Sequence, residues 1–168
     1  MAGFRLSVER IARKECPVPK TTVLFLCPDN ALLGPLAEAY LNDRAGGLMR
    51  AFSAGVEPAS RLSRHVNRLL SASEVDGQGL TPKPVEVFLM PHAVIPDRVI
   101  YLAEMAPVPL PLHWKPATSS HWWTVAETPP LPGSFAQSAA YFGRIRHSID
   151  KLLNPPQRSG GPAVLNVA

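Results

Sequence analysis

The chain has 168 residues, 46% of them hydrophobic and 18% charged, with a formal net charge of +4. That length and apolar content suit one folded domain with its own core and exclude a disordered chain. The 17 Lys and Arg residues are spread along the sequence rather than concentrated, so nucleic acid is not an expected partner.

In chain order, residues 1–20 read as an N-terminal extension. Phe4, Val8 and Ile11 fall at helical spacing among Arg5, Arg10, Arg13 and Lys14, and Pro17 and Pro19 end the pattern. This predicts a short helix packed on the domain or a frayed terminus, with a membrane-surface helix as the alternative. Thr22–Leu26 is a continuous apolar run, as expected of a parallel strand buried on both faces. Pro35 suits the first turn of a helix that runs to about Arg44, with Leu36, Ala37, Tyr40 and Leu41 inward and Gly46-Gly47 as its stop. Met49–Ala54 is a second strand and Ser63–Ser71 a second helix. Pro84–Met90 reads as either a short helix or a strand. Arg98–Leu102 is a third strand, and Val108–Leu112 is the predicted fourth. Phe135–Leu153 is a long final helix, followed by a tail over 154–168. Of the 19 prolines, eleven lie between Pro82 and Pro132, which predicts ordered loops and short elements there.

Strands alternating with helices predict an α/β domain over 21–153: three layers, with a central parallel four-stranded twisted sheet and helices on both faces. Ligands of such sheets bind beyond the carboxyl ends of the strands, and the stretch after Leu26 is one of those ends. Cys27, Pro28, Asp29, Asn30, Ala31, Leu32, Leu33 and Gly34 are therefore the default site. The two cysteines, Cys16 and Cys27, make neither a disulfide framework nor a metal site, and the five histidines lack ligand spacing. No metal and no cofactor is expected. No apolar run approaches the roughly 18 residues of a membrane-spanning helix, and there is no signal-peptide pattern. The expectation is a cytoplasmic protein without a transmembrane segment.

The loop resembles that of the low-molecular-weight protein tyrosine phosphatases, whose motif C-x-G-N-x-x-R-S-P is here Cys27-Pro28-Asp29-Asn30-Ala31-Leu32-Leu33-Gly34-Pro35. The family's M-A-E-A matches Leu36-Ala37-Glu38-Ala39, and its S-A-G-x-x-P matches Ser53-Ala54-Gly55-Val56-Glu57-Pro58. Its D-x-V-I strand matches Asp97-Arg98-Val99-Ile100, and its W-x-V-x-D-P is Trp123-Thr124-Val125-Ala126-Glu127-Thr128. The resemblance implies Cys27 as nucleophile and Glu127 as general acid.

The chemistry between these landmarks is altered. A phosphate loop binds its dianion through inward backbone N–H groups and a fixed cation. Leu33 replaces the arginine, Pro28 has no N–H to give, Gly34 replaces a serine hydroxyl, and Asp29 adds negative charge. Three readings follow. The chain is a phosphatase-like binding or regulatory domain without hydrolytic activity, for a ligand or partner unknown. Alternatively it is a Cys27-dependent enzyme, a weak phosphatase or a thiol-redox enzyme. Alternatively it is an assembly module that uses a His121-Trp122-Trp123 loop, where the bland reading packs one tryptophan and lets the other shield the loop. Arg61 and Arg64 are candidates for a displaced cation, and His65 for a polar group bordering the second helix.

Overall fold

The computed structural model describes residues 20–126 and 133–156. The N-terminal helix reading, most of the C-terminal tail and Glu127 lie outside the described residues. Among these described residues nine elements follow in order. They are β1 (Thr21–Cys27), α1 (Leu33–Arg44), β2 (Met49–Gly55), α2 (Val66–Ala72), α3 (Glu86–Leu89), β3 (Arg98–Ala103), a 3-10 turn (Leu112–Trp114), β4 (Ser119–Ala126) and α4 (Phe135–Leu153).

The sheet has the order β2-β1-β3-β4 and all its pairs are parallel. Central β1 is apolar and buried from Val23 to Cys27, because both its faces are covered there. Val23, Phe25 and Cys27 turn to one face and pack with α1, α2 and α4. Leu24 and Leu26 turn to the other, against Val85, Tyr101 and Trp114. The period of two along a strand makes this division. Helices therefore cover both faces, as expected for the three-layer α/β fold.

Helix α1 has no side-chain cap at its start, and Pro35 sits in its first turn, where an amide would have no helical acceptor. Gly46 and Gly47 end the segment at φ of 55° and 83°, backbone that glycine adopts at little cost. Helix α4 is capped at its start by Ser134, whose Oγ accepts the Gln137 amide at 3.2 Å. Tyr40 fixes α4 on α1 by donating its hydroxyl to Asp150 Oδ1 at 3.0 Å and meeting Phe142 edge-on at 5.9 Å.

Two expectations need correction. Val108–Leu112 is not a strand: Pro107, Pro109 and Pro111 remove alternate donors, and the Val108 amide bonds to the Tyr101 hydroxyl at 3.0 Å. The fourth strand is β4, which contains Trp122 and Trp123, so this pair is in the sheet rather than in a loop. Alternation sends the two rings to opposite faces. Trp123 lies 5.8 Å from the Phe25 ring, whereas half-exposed Trp122 stacks on Tyr101 at 4.5 Å. The ambiguous stretch from Pro84 to Met90 contains the single-turn helix α3. The second helix starts at Val66, three residues later than Ser63.

Candidate functional site

The loop from Cys27 to Gly34 joins β1 to α1 at the carboxyl end of the central strand. Its outer side is tied to the segment that follows β2. The carbonyls of Pro28, Asp29 and Ala31 accept from the amides of Glu57 (2.9 Å), Ala59 (2.8 Å) and Ser63 (2.8 Å). A trans peptide points its N–H opposite to its C=O. With those three carbonyls turned outward, the amides of Asp29, Asn30 and Leu32 turn inward, the arrangement of an anion-binding nest. Asn30 adopts φ of 49°, the left-handed conformation that asparagine tolerates better than most residues. Gly55 at the end of β2 is pressed against the loop: a Cβ there would stand 3.0 Å from Asn30 N and Asp29 C. The glycine of Ser53-Ala54-Gly55 thus permits the close approach.

The interior is different. Cys27 is fully buried, and its thiol donates only a long contact, 3.9 Å, to Asn30 Oδ1. Burial pushes this thiol up from 9.0 to about 12; the Gly34 amide opposes the shift, the Asp29 charge adds to it, and the Asn30 amide opposes it. Asp29 Oδ1 accepts the Ala31 amide at 3.1 Å, so a carboxylate of the chain itself uses one of the loop's donors. Leu33, at the arginine position of the resembled motif, has no exposure and belongs to the core cluster that contains Cys27. The space of the missing serine is also taken, since a Cβ on Gly34 would overlap Asn30 Oδ1 and lie 3.2 Å from Cys27 Sγ. Asn30 Nδ2 is buried without a partner among the described residues.

Behind the loop, Glu38 of α1 accepts from Ser53 Oγ at 2.5 Å and pairs with Lys83 Nζ at 2.9 Å. Sequence reasoning used Glu38 and Ser53 as landmarks and missed this cluster. Lys83 carries no sequence signal, because it reaches the cluster from a loop 45 positions away from Glu38.

A cleft of about 480 Å³ opens beside the loop. It is walled by Asp29, Ala31 and Leu32, by the segment from Arg61 to His65, and by Gly133 and Ser138 at the start of α4. Asp29, Arg61, Arg64 and His65 therefore share one opening, while Cys27 is not part of its lining. His65 makes no side-chain cap on α2; its ring meets Phe135 edge-on at 5.5 Å. Sequence reasoning missed Leu62, Ser63, Gly133 and Ser138, for which no residue type or spacing gave a signal. Among the described residues, no group of three or more His, Cys, Asp or Glu side chains is placed to hold a metal ion. Nor is any described helix long and apolar enough to cross a membrane.

No curated protein matches the chain. Solved structures do. An arsenate reductase from Archaeoglobus fulgidus is 26% identical, with a TM-score of 0.61 over 78% of this chain and 98% of that one. A thioredoxin-dependent arsenate reductase from Corynebacterium glutamicum is also 26% identical, with a TM-score of 0.55 over 79% of this chain and 63% of that one. An arginine phosphatase from Geobacillus stearothermophilus shares the fold at 18% identity, with a TM-score of 0.56 over 79% of this chain and 90% of that one. The model of one family, low molecular weight phosphotyrosine protein phosphatase, matches residues 22–155, which takes in the sheet, the loop and α4. With the parallel order β2-β1-β3-β4 and a cysteine loop between β1 and α1, the chain belongs to the low molecular weight phosphotyrosine protein phosphatase family.

Proposed function

We propose that this family member is a binding or regulatory domain that does not hydrolyse phosphate esters, acting in the cytoplasm. One observation carries the reading: the thiol that would attack phosphorus is fully buried, and that burial pushes its pKa up to about 12. Nucleophilic attack needs a thiolate within reach of substrate. Leucine at position 33 gives the transferred group no cation, and loss of one such stabiliser typically costs about 3 kcal/mol of barrier. The cytoplasmic setting is supported by a cysteine count of two, too low for a disulfide-stapled secreted domain. The test is turnover of an activated aryl phosphate by the purified protein and by Cys27→Ser. Equal, background rates are expected; hydrolysis that depends on Cys27 would overturn the reading.

A thiol-dependent reductase is the second reading, favoured by the 26% identity to two arsenate reductases. Its difficulty is the same buried thiol, together with the absence of any cysteine after Cys27 to resolve an oxidised intermediate within the chain. Arsenate-dependent oxidation of an added small thiol, lost in Cys27→Ser, would establish it. No such oxidation is expected.

A further inference from the structure

We propose that the cleft beside the loop binds a ligand carrying an anionic group on an apolar body, and that Arg61 and Arg64, not the loop, hold the anion. This rests on the reading above, that the loop itself does not process phosphate. The cleft, about 480 Å³, is in the size range of small-molecule sites. Among the described residues, its lining charges are two arginines, Arg61 and Arg64, against one carboxylate. That carboxylate, Asp29, already accepts the Ala31 amide through Oδ1. Neither arginine is in an ion pair among the described residues. Arginine is suited to the task because its planar fork meets phosphate or carboxylate oxygens in pairs.

The wall that carries the arginines is fixed from both sides. The Ser63 amide donates to Ala31 O at 2.8 Å, and Ser63 Oγ accepts the His65 amide at 3.4 Å. The His65 ring rests edge-on against Phe135 of α4. Gly133 and Ser138 bring the start of the 19-residue helix α4 into the lining, so its positive end adds to the attraction for an anion. Leu32 and Leu62 supply the apolar surface for the body of the ligand. The loop offers no competing cation, since Leu33 stands at its arginine position without exposure.

Phenylphosphonate is a suitable probe, because it has a dianion and a ring but no ester to cleave. Its binding is therefore independent of hydrolysis, which the Cys27→Ser comparison tests separately. By isothermal calorimetry at low salt, the wild-type protein is expected to bind phenylphosphonate. The double variant Arg61→Ala/Arg64→Ala is expected to weaken binding by about tenfold or more. Both side chains are exposed, so the variant should fold, and its thermal melt verifies this. Arg50→Ala, an exposed arginine near the opposite end of β2, should bind as the wild type does. Raising the salt should weaken wild-type binding. Failure of the wild type to bind, or equal affinity in the double variant, would overturn the proposal.

Discussion

The outer and inner sides of the Cys27–Gly34 loop follow different rules. The outer side is made of backbone: three carbonyls held by amides of the 57–63 segment, and a peptide plane laid against Gly55. The inner side adds to its inward amides the side chains of Cys27, Asp29, Asn30 and Leu33. Backbone bonds do not depend on which side chain a residue carries, provided it can adopt the required φ and ψ. The phosphate-loop shape can therefore persist while Leu33, Asp29 and Gly34 change what the shape encloses. Likeness of shape is for this reason weaker evidence for chemistry than the identity of the four inward residues.

The inner side should give the largest single effect on stability. Leu33 is fully buried beside Cys27, so Leu33→Ala is expected to cost about 2–5 kcal/mol in urea unfolding. Leu33→Arg should cost at least as much, because it places an unpaired charge where the wild type has no exposure. A Leu33→Arg protein as stable as the wild type would show that the loop interior opens to solvent, and the distinction between a filled inside and a tied outside would fail.

The outer side is tested at Gly55. A Cβ there meets backbone atoms of Asp29 and Asn30 at 3.0 Å, and backbone cannot swing away as a side-chain end can. Gly55→Ala is expected to cost about 1–3 kcal/mol, the usual range for overpacking. Gly34→Ser makes a useful contrast. Its Cβ overlaps Asn30 Oδ1, a side-chain end, with Ser53 Cβ next at 3.0 Å and no backbone atom among its three nearest neighbours, so its cost should be smaller. Equal costs at the two glycines would mean that Asn30 is as rigid as the backbone.

The same division explains what could be read from the sequence. Residues 22–26, the Pro35 helix, the second and third strands and the 135–153 helix were legible, because each couples an apolar pattern to a stop signal. The loop was legible as a shape through Cys27, Asn30, Pro35 and Gly55, which serve backbone geometry. Strand β4 was not. As an edge strand its residues from Ser119 to Trp122 are exposed, so it has neither the apolar run of a buried strand nor a clean alternation. Val108–Leu112 carried the apolar residues instead, and its alternating prolines should have ruled it out. The Arg61–His65 wall was visible only as isolated charges, because what unites them is the Ser63 amide bond to Ala31, a contact that no periodicity encodes.

Ionisation of Cys27 gives a pH-dependent way to sharpen the comparison. Its thiol ionises near 9.0 when free of the fold and near 12 within it. The stability this group contributes is intact below about pH 9 and falls as the pH rises toward about 12, because only the unfolded thiol then gains from releasing its proton. The slope from this one group approaches about 1.4 kcal/mol per pH unit at most. Tyr40 shifts in the same direction through burial and its bond to Asp150, so the informative quantity is the difference between the wild type and Cys27→Ala. Cys27→Ala should have the flatter profile above pH 9 even though its absolute stability is lower. Iodoacetamide should likewise leave the Cys27 thiol unmodified in the folded protein and alkylate it once the chain is unfolded in urea. Parallel pH profiles for the two proteins would show that the thiol is not sealed.

Asp29 belongs to both sides of the loop, and its substitution should give the smallest effect with the most specific signature. The side chain holds the turn through the Ala31 amide and places a charge near Cys27. Asparagine in its place would keep an oxygen for the amide and remove only the charge; alanine would remove both. Asp29→Ala is therefore expected to cost about 0.5–1.5 kcal/mol, and Asp29→Asn less. The Cys27 titration, followed by thiolate absorbance, should move downward in both variants, since the charge is absent from both. If Asp29→Asn leaves the titration in place while Asp29→Ala lowers it, the freed Ala31 amide rather than the lost charge is what the sulfur senses. Asp29 would then act on the inner side through the backbone, and the division between a backbone outside and a side-chain inside would have to be redrawn at that residue.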